Sequence, residues 1–541
     1  MLMKVIKPNT ISPVDGTFAR ASTGTYYNSS GTLVQAAIDA PRFNYDSFTH
    51  AFQGLLLEGS STNLVTNSED FTTGSWTKTN CSISSNASAA PDGTVTADKY
   101  IPDNTSTSSS VFSSSITVSS TDVTVSLFAK KAEYEYFTLS VFNSGSLSAS
   151  AIFNINTGVV VSTSANNADF TNITAGIEKL ANSLYRCHIK ATKGPVDSVV
   201  RIKINPLTSS LVEPVGNGSN GFYVWGAQLE LQSKPTSYIK TTSAAVTRSA
   251  DVITGSGLIY STLTDSNPLY SSGSTYAVDA IVRFNNMLYK SLQAANTNHQ
   301  PDISPTWWYL IGSDNIHAAF DTALSTKSTA TASMTLAIKP GVIDSLALID
   351  LSAASVKVAV TDQVDGTVFT AVSGLSDVES YDWYQYFFND PVVRRTQVIF
   401  TGIPQYENAL VTVLIEGDVS EVVSIAQILL GNLNNLGDTN YGAGTGIIDY
   451  STKNTDEFGN TSFVKRAFSK RLNAQVVVLN SQFNRVQNLL YSIRATPVVW
   501  IASDDPTYEE ALIIFGFYRE FSTDIAYPSF STCSLEIESL V

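Results

Sequence analysis

The chain has 541 residues, of which 43% are hydrophobic and 15% charged, with a formal net charge of −15. That length corresponds to roughly three or four domains, and the composition is too apolar and too sparsely charged for a disordered chain. The surplus of carboxylates excludes broad binding to a phosphate backbone, which needs concentrated Lys and Arg, so no nucleic-acid partner is expected.

Three widely spaced cysteines, Cys81, Cys187 and Cys533, form no CxxC and imply no disulfide framework; each reads as a small buried apolar residue. The first residues, MLMKVIKPNTISPVDG, lack the apolar core of a secretory signal. No stretch approaches the ~18 apolar residues of a membrane span, so assembly in a cytoplasm without membrane insertion is the expectation.

Residues 1–66 read as an extended leader or anchor. Gly24 to Val34 suit a short hairpin turning at Asn28 to Gly31, but the segment has no core of its own and must lie on a neighbour. Residues 67–250 read as a jelly-roll sandwich. Val123–Lys130, Tyr136–Phe142, Ala151–Ile155, Gly158–Ser164, Tyr185–Ala191 and Val199–Ile204 are strand-like, separated by Asn, Gly and Pro, with no helical period. Gly221 to Thr241 closes this sandwich, with Phe222, Val224, Ala227, Leu229 and Leu231 toward the core and Gln228 and Glu230 on a polar face. Tyr238 to Asp251 then hand the chain on.

Several ordered blocks in this half, GLLLEGSSTNLVTNSEDF, SWTK, APDGTVTADKY and VWGAQLELQSKPTSYIKTTSAAVTRSAD, resemble the head-fibre and tail-fibre (spike) proteins of tailed bacteriophages. The resemblance covers about Phe18 to Asp251. It implies a carbohydrate-binding-like jelly roll behind a leader, in a structural virion protein assembled as a homo-oligomer (trimer or ring). It further implies other virion proteins (tail, collar or portal-proximal) and host cell-surface polysaccharide as partners, and no cofactor.

Residues 258–312 carry Ser274–Val282, Asn285–Leu292, Asn296, Pro301 and Trp307-Trp308, a spacing that resembles the small chitin-binding modules of chitinases. The resemblance implies Trp307, Trp308, Tyr276 and Tyr289 as glycan-binding aromatics. Two departures stand against it: Val278-Asp279-Ala280 where such modules have Gly-Asp, and Ala294-Ala295 where they carry an aromatic. A domain this small also needs aromatics for its own core, so Tyr276, Tyr289 and one tryptophan have a second reading as core residues. In extended chain, Trp307 and Trp308 point to opposite faces.

Residues 315–436 read as a second β-sandwich. Its Ala426-Gln427-Ile428-Leu429-Leu430 echoes Ala227-Gln228-Leu229-Glu230-Leu231, and in each case a tyrosine follows, Tyr441 and Tyr238. Residues 437–541 read as an α+β domain similar to the C-terminal domains of some phage tail-associated proteins. Its helix falls within Asn480 to Ser492, with Phe483, Val486, Leu489 and Leu490 on one face. Gly442 to Gly446 read as a flexible loop. Lys465-Arg466 and Lys470-Arg471 form a solvated face or an interface with an acidic neighbour.

No motif carries catalysis or a metal. The four histidines lack ligand spacing, and neither HExxH nor GxSxG occurs. Asp377, Glu379 and Asp382 beside Trp383 and Tyr384 resemble a sugar cleft, with a polar loop next to core aromatics as the plainer reading. Asp504-Asp505 and Glu509-Glu510 could meet Ca²⁺ or water. The chain is thus expected to be mainly β: tandem jelly-roll sandwiches, a small chitin-binding-like module and a C-terminal α+β unit. Its expected function is non-enzymatic attachment from a virion; the alternatives are a polysaccharide depolymerase and a purely architectural head or connector protein.

Overall fold

Period-two alternation dominates the chain, and the computed structural model is correspondingly built of antiparallel β-sheets. It describes all residues except 1, 13, 105–107, 120, 146, 166–168, 377–393, 456, 504–508, 526 and 541. Two compact units emerge, one of residues 18–254 with 363–367, the other of residues 1–17, 255–362 and 368–541. No described helix is long and apolar enough to cross a membrane.

The first unit is a two-sheet sandwich. One sheet runs Phe170–Lys179, Leu184–Lys193, Asp122–Lys131, Phe222–Glu230, Val95–Pro102, Cys81–Ala89. The other runs Val159–Ala165, Ser148–Asn154, Tyr136–Phe142, Val199–Leu207, Ser110–Ser113, Trp76–Thr79. Alternate residues of each strand meet in the middle, among them Val125, Leu127, Leu139, Ile204 and Leu229. Phe137 lies between Phe153 and Phe222, with ring centroids 5.4 and 5.2 Å apart.

The closing strand Phe222–Glu230 differs from the half-exposed strand read from sequence. Gln228 and Glu230 are both 0% exposed. Chain on either side supplies their partners: Ser61 Oγ and the Thr236 amide donate to Glu230, and the Ile239 amide donates to Gln228 Oε1. Burial is tolerated because each polar atom is paired. Leu231, expected in the core, is exposed beyond the strand's end.

Residues 18–66 are fastened to this sandwich by buried charge. Arg42 Nη2 lies 2.6 Å and Arg20 Nη1 3.2 Å from the Asp251 carboxylate, while Arg42 Nη1 reaches Glu58 at 2.8 Å. Burial alone would raise the Glu58 pKa; the Arg42 and Arg248 guanidiniums and the Ser237 hydroxyl and amide outweigh it and hold it below the usual value.

The second unit centres on a nine-stranded sheet. Its order is Gln397–Thr401, Ser345–Ile349, Gln427–Thr439, Leu2–Pro8, Val498–Ile501, Ile513–Asp524, Phe530–Ser539, Phe468–Leu479, Gly444–Asp449. A five-stranded sheet ordered Gly257–Ser261, Ser333–Lys339, Leu410–Glu416, Ser355–Asp362, Gly366–Gly374 shares a core with one end of it, including Leu336, Leu346, Val358, Val413 and Ile428. At the other end, helix Phe483–Ser492 sets Val486 and Leu490 against Leu472, Val476 and Trp500.

Three expectations are corrected here. Residues 2–8 are no leader: Met3, Val5 and Ile6 are fully buried in the middle of the sheet. The boundary placed between 436 and 437 falls inside the strand Gln427–Thr439, which belongs to one continuous sheet. Gly444 to Gly446 form no loop, because they pair with Arg471 to Asn473 as the start of an edge strand.

Candidate functional site

The aromatics singled out between 258 and 312 divide. A three-stranded sheet, Ile281–Phe284, Met287–Ser291 and Trp308–Ser313, buries Trp308 and Tyr289 against Val282. Tyr276 is half-buried, with its ring stacked on Tyr270 at 5.8 Å. Trp307 is half-buried and has one face covered by His299, the rings 3.8 Å apart and 11° from parallel. Trp308 Nε1 donates to the His299 carbonyl. Trp308 and Tyr289 are therefore core, whereas Tyr276 and Trp307 are each only half-buried. Asp377, Glu379, Asp382, Trp383 and Tyr384 lie outside the described residues, as do Asp504 and Asp505. No group of three or more described His, Cys, Asp or Glu could hold a metal ion.

A different site forms on the outer face of the sandwich sheet, where Tyr136–Phe142 lies between Ser148–Asn154 and Val199–Leu207. Inward residues of Tyr136–Phe142 fill the core, so Thr138, Ser140 and Phe142 must face outward. Register places them in rows across the sheet. Phe142 is opposite Ser148 on one side and Arg201 on the other. Ser140 is opposite Ser150 and Lys203, and Lys203 is opposite Phe112 on Ser110–Ser113. Thr138 is opposite Asn205. Four strands at ~4.8 Å spacing give these rows a span of about 14 Å.

Together with Glu213 they line a groove of about 400 Å³. The rings of Phe112 and Phe142 meet edge to face at 6.1 Å, and the Arg201 guanidinium carbon lies 6.0 Å from each centroid. Arg201 Nε donates to Ser115 Oγ at 2.9 Å. Asn205 Nδ2 donates to the Ser109 carbonyl at 2.8 Å and to Glu213 Oε1 at 3.2 Å. Ser140 and Ser150 hydroxyls are 2.8 Å apart.

The groove thus offers aromatic surface at one end, hydroxyls on its floor and an amide and carboxylate at the other end. Neither Arg201 nor Lys203 has a carboxylate within ion-pair distance among the described residues. Two uncompensated cations on one face stand out in a chain of net charge −15. Sequence reading missed this site although its signal was present. The apolar alternation of Tyr136–Phe142 and Val199–Ile204 was read for the core, and the complementary set, Thr-Ser-Phe and Arg-Lys-Asn, was left unread.

No protein-family model and no curated protein matches the sequence. Solved structures that resemble parts of it include the following two. One is the Clostridium thermocellum N-terminal endo-1,4-beta-D-xylanase 10B, CBM22-1–GH10 modules complexed with xylohexaose: 13% identical, covering 34% of this chain and 30% of that chain, TM-score 0.19. The other is the N-terminal CBM22-1–CBM22-2 tandem domain of a Paenibacillus barcinonensis protein: 7% identical, covering 70% of this chain and 98% of that chain, TM-score 0.21. The present chain spans less than a third of the first of these structures.

Proposed function

We propose that this chain is a non-enzymatic glycan-binding protein of the bacteriophage-fibre type, and that the Phe112–Phe142 groove holds an extended polysaccharide. The observation that carries the reading is the pairing of two aromatic rings with two uncompensated cations over a hydroxyl-rich floor. Sugar rings present C–H faces that match the negative face of an aromatic ring, and their hydroxyls match serine, threonine and amide groups. Arg201 and Lys203 favour a polysaccharide with anionic substituents, such as uronic acids.

Glu213 is the one carboxylate among the described lining residues, and it already accepts from Asn205. Hydrolysis of a glycosidic bond usually engages two carboxylates, so the groove supports retention of a glycan rather than its cleavage. Placement on a virion assembled in a bacterial cytoplasm rests on the sequence resemblance between Phe18 and Asp251. In that setting, repeated copies of a weak site would give firm attachment to the host surface.

Affinity electrophoresis of the full chain against neutral and uronic-acid polysaccharides tests the proposal. Retardation by an anionic glycan is expected, with Phe142→Ala and Lys203→Glu each weakening it about tenfold, equivalent to ~1.4 kcal/mol. Both side chains lie on the sheet's outer face, so folding should be retained. If no glycan retards the wild type, or if Phe142→Ala binds unchanged, the groove reading fails and an architectural role takes its place. Release of new reducing ends from the retained glycan would instead favour a depolymerase.

A further inference from the structure

The two sheets of the sandwich formed by residues 18–254 meet at a buried polar cluster that lies apart from the groove. Asn143 follows the strand Tyr136–Phe142 of one sheet. Lys193 ends Leu184–Lys193 and Asp169 precedes Phe170–Lys179, both in the other sheet. Asn143 is 1% exposed, and Asp169 and Lys193 are 0% exposed.

The three side chains are arranged as a nucleophile, a proton acceptor and a polarised amide. Lys193 Nζ lies 2.9 Å from each oxygen of the Asp169 carboxylate, and it donates to the Gly194 and Asp197 carbonyls at 2.8 and 2.6 Å. The two carbonyls hold two of its N–H bonds, so a proton passed to Asp169 leaves the lone pair on the Asp169 side. Asn143 Nδ2 donates to Asp169 Oδ2 at 2.7 Å, so amine and amide share one acceptor atom. Asn143 Oδ1 accepts from the Gly145 and Leu147 amides, each at 2.9 Å. Two fixed donors on a carbonyl oxygen stabilise the charge that gathers there when its carbon is attacked.

Neighbouring contacts hold the groups together. The Ser144 amide donates to Asp197 Oδ2 at 2.8 Å, which ties the turn after Asn143 to the segment after Lys193. The buried Phe170 ring has its centroid 5.6 Å from Nζ. A plain structural contact would not require this set, because apolar residues of similar volume hold two sheets at least as well as a buried ion pair.

We propose that Lys193 and Asn143 join in an intramolecular isopeptide bond, a cross-link between the two sheets that the chain forms by itself with Asp169 as proton carrier. Nζ passes a proton to Asp169 and attacks Asn143 Cγ; the Nζ–Cγ bond forms and the Cγ–Nδ2 bond breaks. Both protons that Nζ gives up travel through the carboxylate to Nδ2, which departs as ammonium, and Asp169 ends ionised as it began. One amide replaces another, so nothing is oxidised or reduced. Such a bond restricts the unfolded chain as a disulfide does, in a chain whose three cysteines are all free.

Mass spectrometry on the denatured full chain tests this. The wild type should weigh less than its sequence by one ammonia. Trypsin should fail to cut after Lys193, and residues 191–201 should appear as a branch on residues 132–179. Asp169→Asn keeps the size of the side chain but removes the proton acceptor, and Asn143→Ala removes the attacked carbon. Each should restore the full mass and cleavage after Lys193, and each should run behind the wild type on a denaturing gel. The wild-type digest decides even if a variant fails to fold. A wild type of full mass that is cut after Lys193 would overturn the proposal and leave a buried ion pair. An Asp169→Asn chain that still carries the branch would overturn it as well.

Discussion

Asp251 accepts hydrogen bonds from Arg20, Arg42 and the Glu58 amide while fully buried, so its carboxylate gathers segments separated by some two hundred residues. Removing one member of such a cluster would strand a buried charge, which is why it holds the chain in one register. A second clamp is titratable. His317 Nδ1 lies 2.7 Å from Asp314, and its Nε2 lies 3.1 Å from Asp15. Burial alone would lower its pKa, but the hydrogen bond and charge of Asp314, then those of Asp15, outweigh it and raise the pKa above the ordinary value. The clamp's contribution is therefore complete below pH ~6.5, where folded and unfolded imidazoles are both charged, and disappears as pH rises through the raised folded value. Thermal melts should show the gap between wild type and His317→Gln widest near pH 6 and narrowing by pH 8; a constant gap would sink the argument. Both devices were invisible to sequence reading for the same reason. Arg20, Arg42, Glu58, Arg248 and Asp251 stand in the stretch over which the fibre resemblance was drawn, but no local spacing shows that they meet.

Strands were the most legible elements, because alternation reports a buried face directly. The echo between Ala227-Gln228 and Ala426-Gln427 has a counterpart in space. Each glutamine is buried in a long interior strand, Gln228 bonding to the chain after its strand and Gln427 to Asp321. The tyrosines that follow diverge: Tyr238 is buried against Trp225 and Phe128, while Tyr441 is 92% exposed. Gly226, inside the phrase Val-Trp-Gly-Ala-Gln, has a clear requirement. Its φ is +62°, at an irregularity in the pairing with Asp122–Lys131, and a Cβ there would come within 2.8 Å of the Phe128 ring. Gly226→Ala combines an unfavourable backbone with a clash, costing on the order of 1–3 kcal/mol. Urea denaturation should show a lower midpoint with an unchanged slope, and a midpoint equal to wild type would mean the bulge relaxes freely. What alternation could not supply was the covering of outward residues: Gln228 and Glu230 look solvated in sequence and are sealed in the fold.

At the scale of the whole chain, contiguity in sequence misled most. Residues 1–66 look like one leader, yet the chain changes allegiance after Thr17, with residues 2–8 belonging to the second unit and residues 18–66 to the first. The reason is pairing at long range: Val5 faces Asn434 on one side and Trp500 on the other, and no local pattern announces partners more than four hundred residues away. The consequence is a domain completed by its most distant strand. Met3, Val5 and Ile6 are fully buried, and losing a buried side chain of this size costs about 2–5 kcal/mol. Three such losses are comparable with the ~5–15 kcal/mol that holds a typical domain together. Deleting residues 1–9 should therefore lower or abolish one calorimetric transition, that of residues 255–541, while the transition of residues 18–254 keeps its midpoint. The deletion also leaves Gln427–Thr439 and Val498–Ile501 flanking an empty strand position whose backbone donors and acceptors lack partners. A synthetic peptide of residues 1–9 should refill that position and restore the lost transition in a concentration-dependent way, because binding to the folded form alone stabilises by mass action. Equal shifts of both transitions on deletion, or a peptide without effect at any concentration, would mean that the strand is dispensable to the sheet it divides.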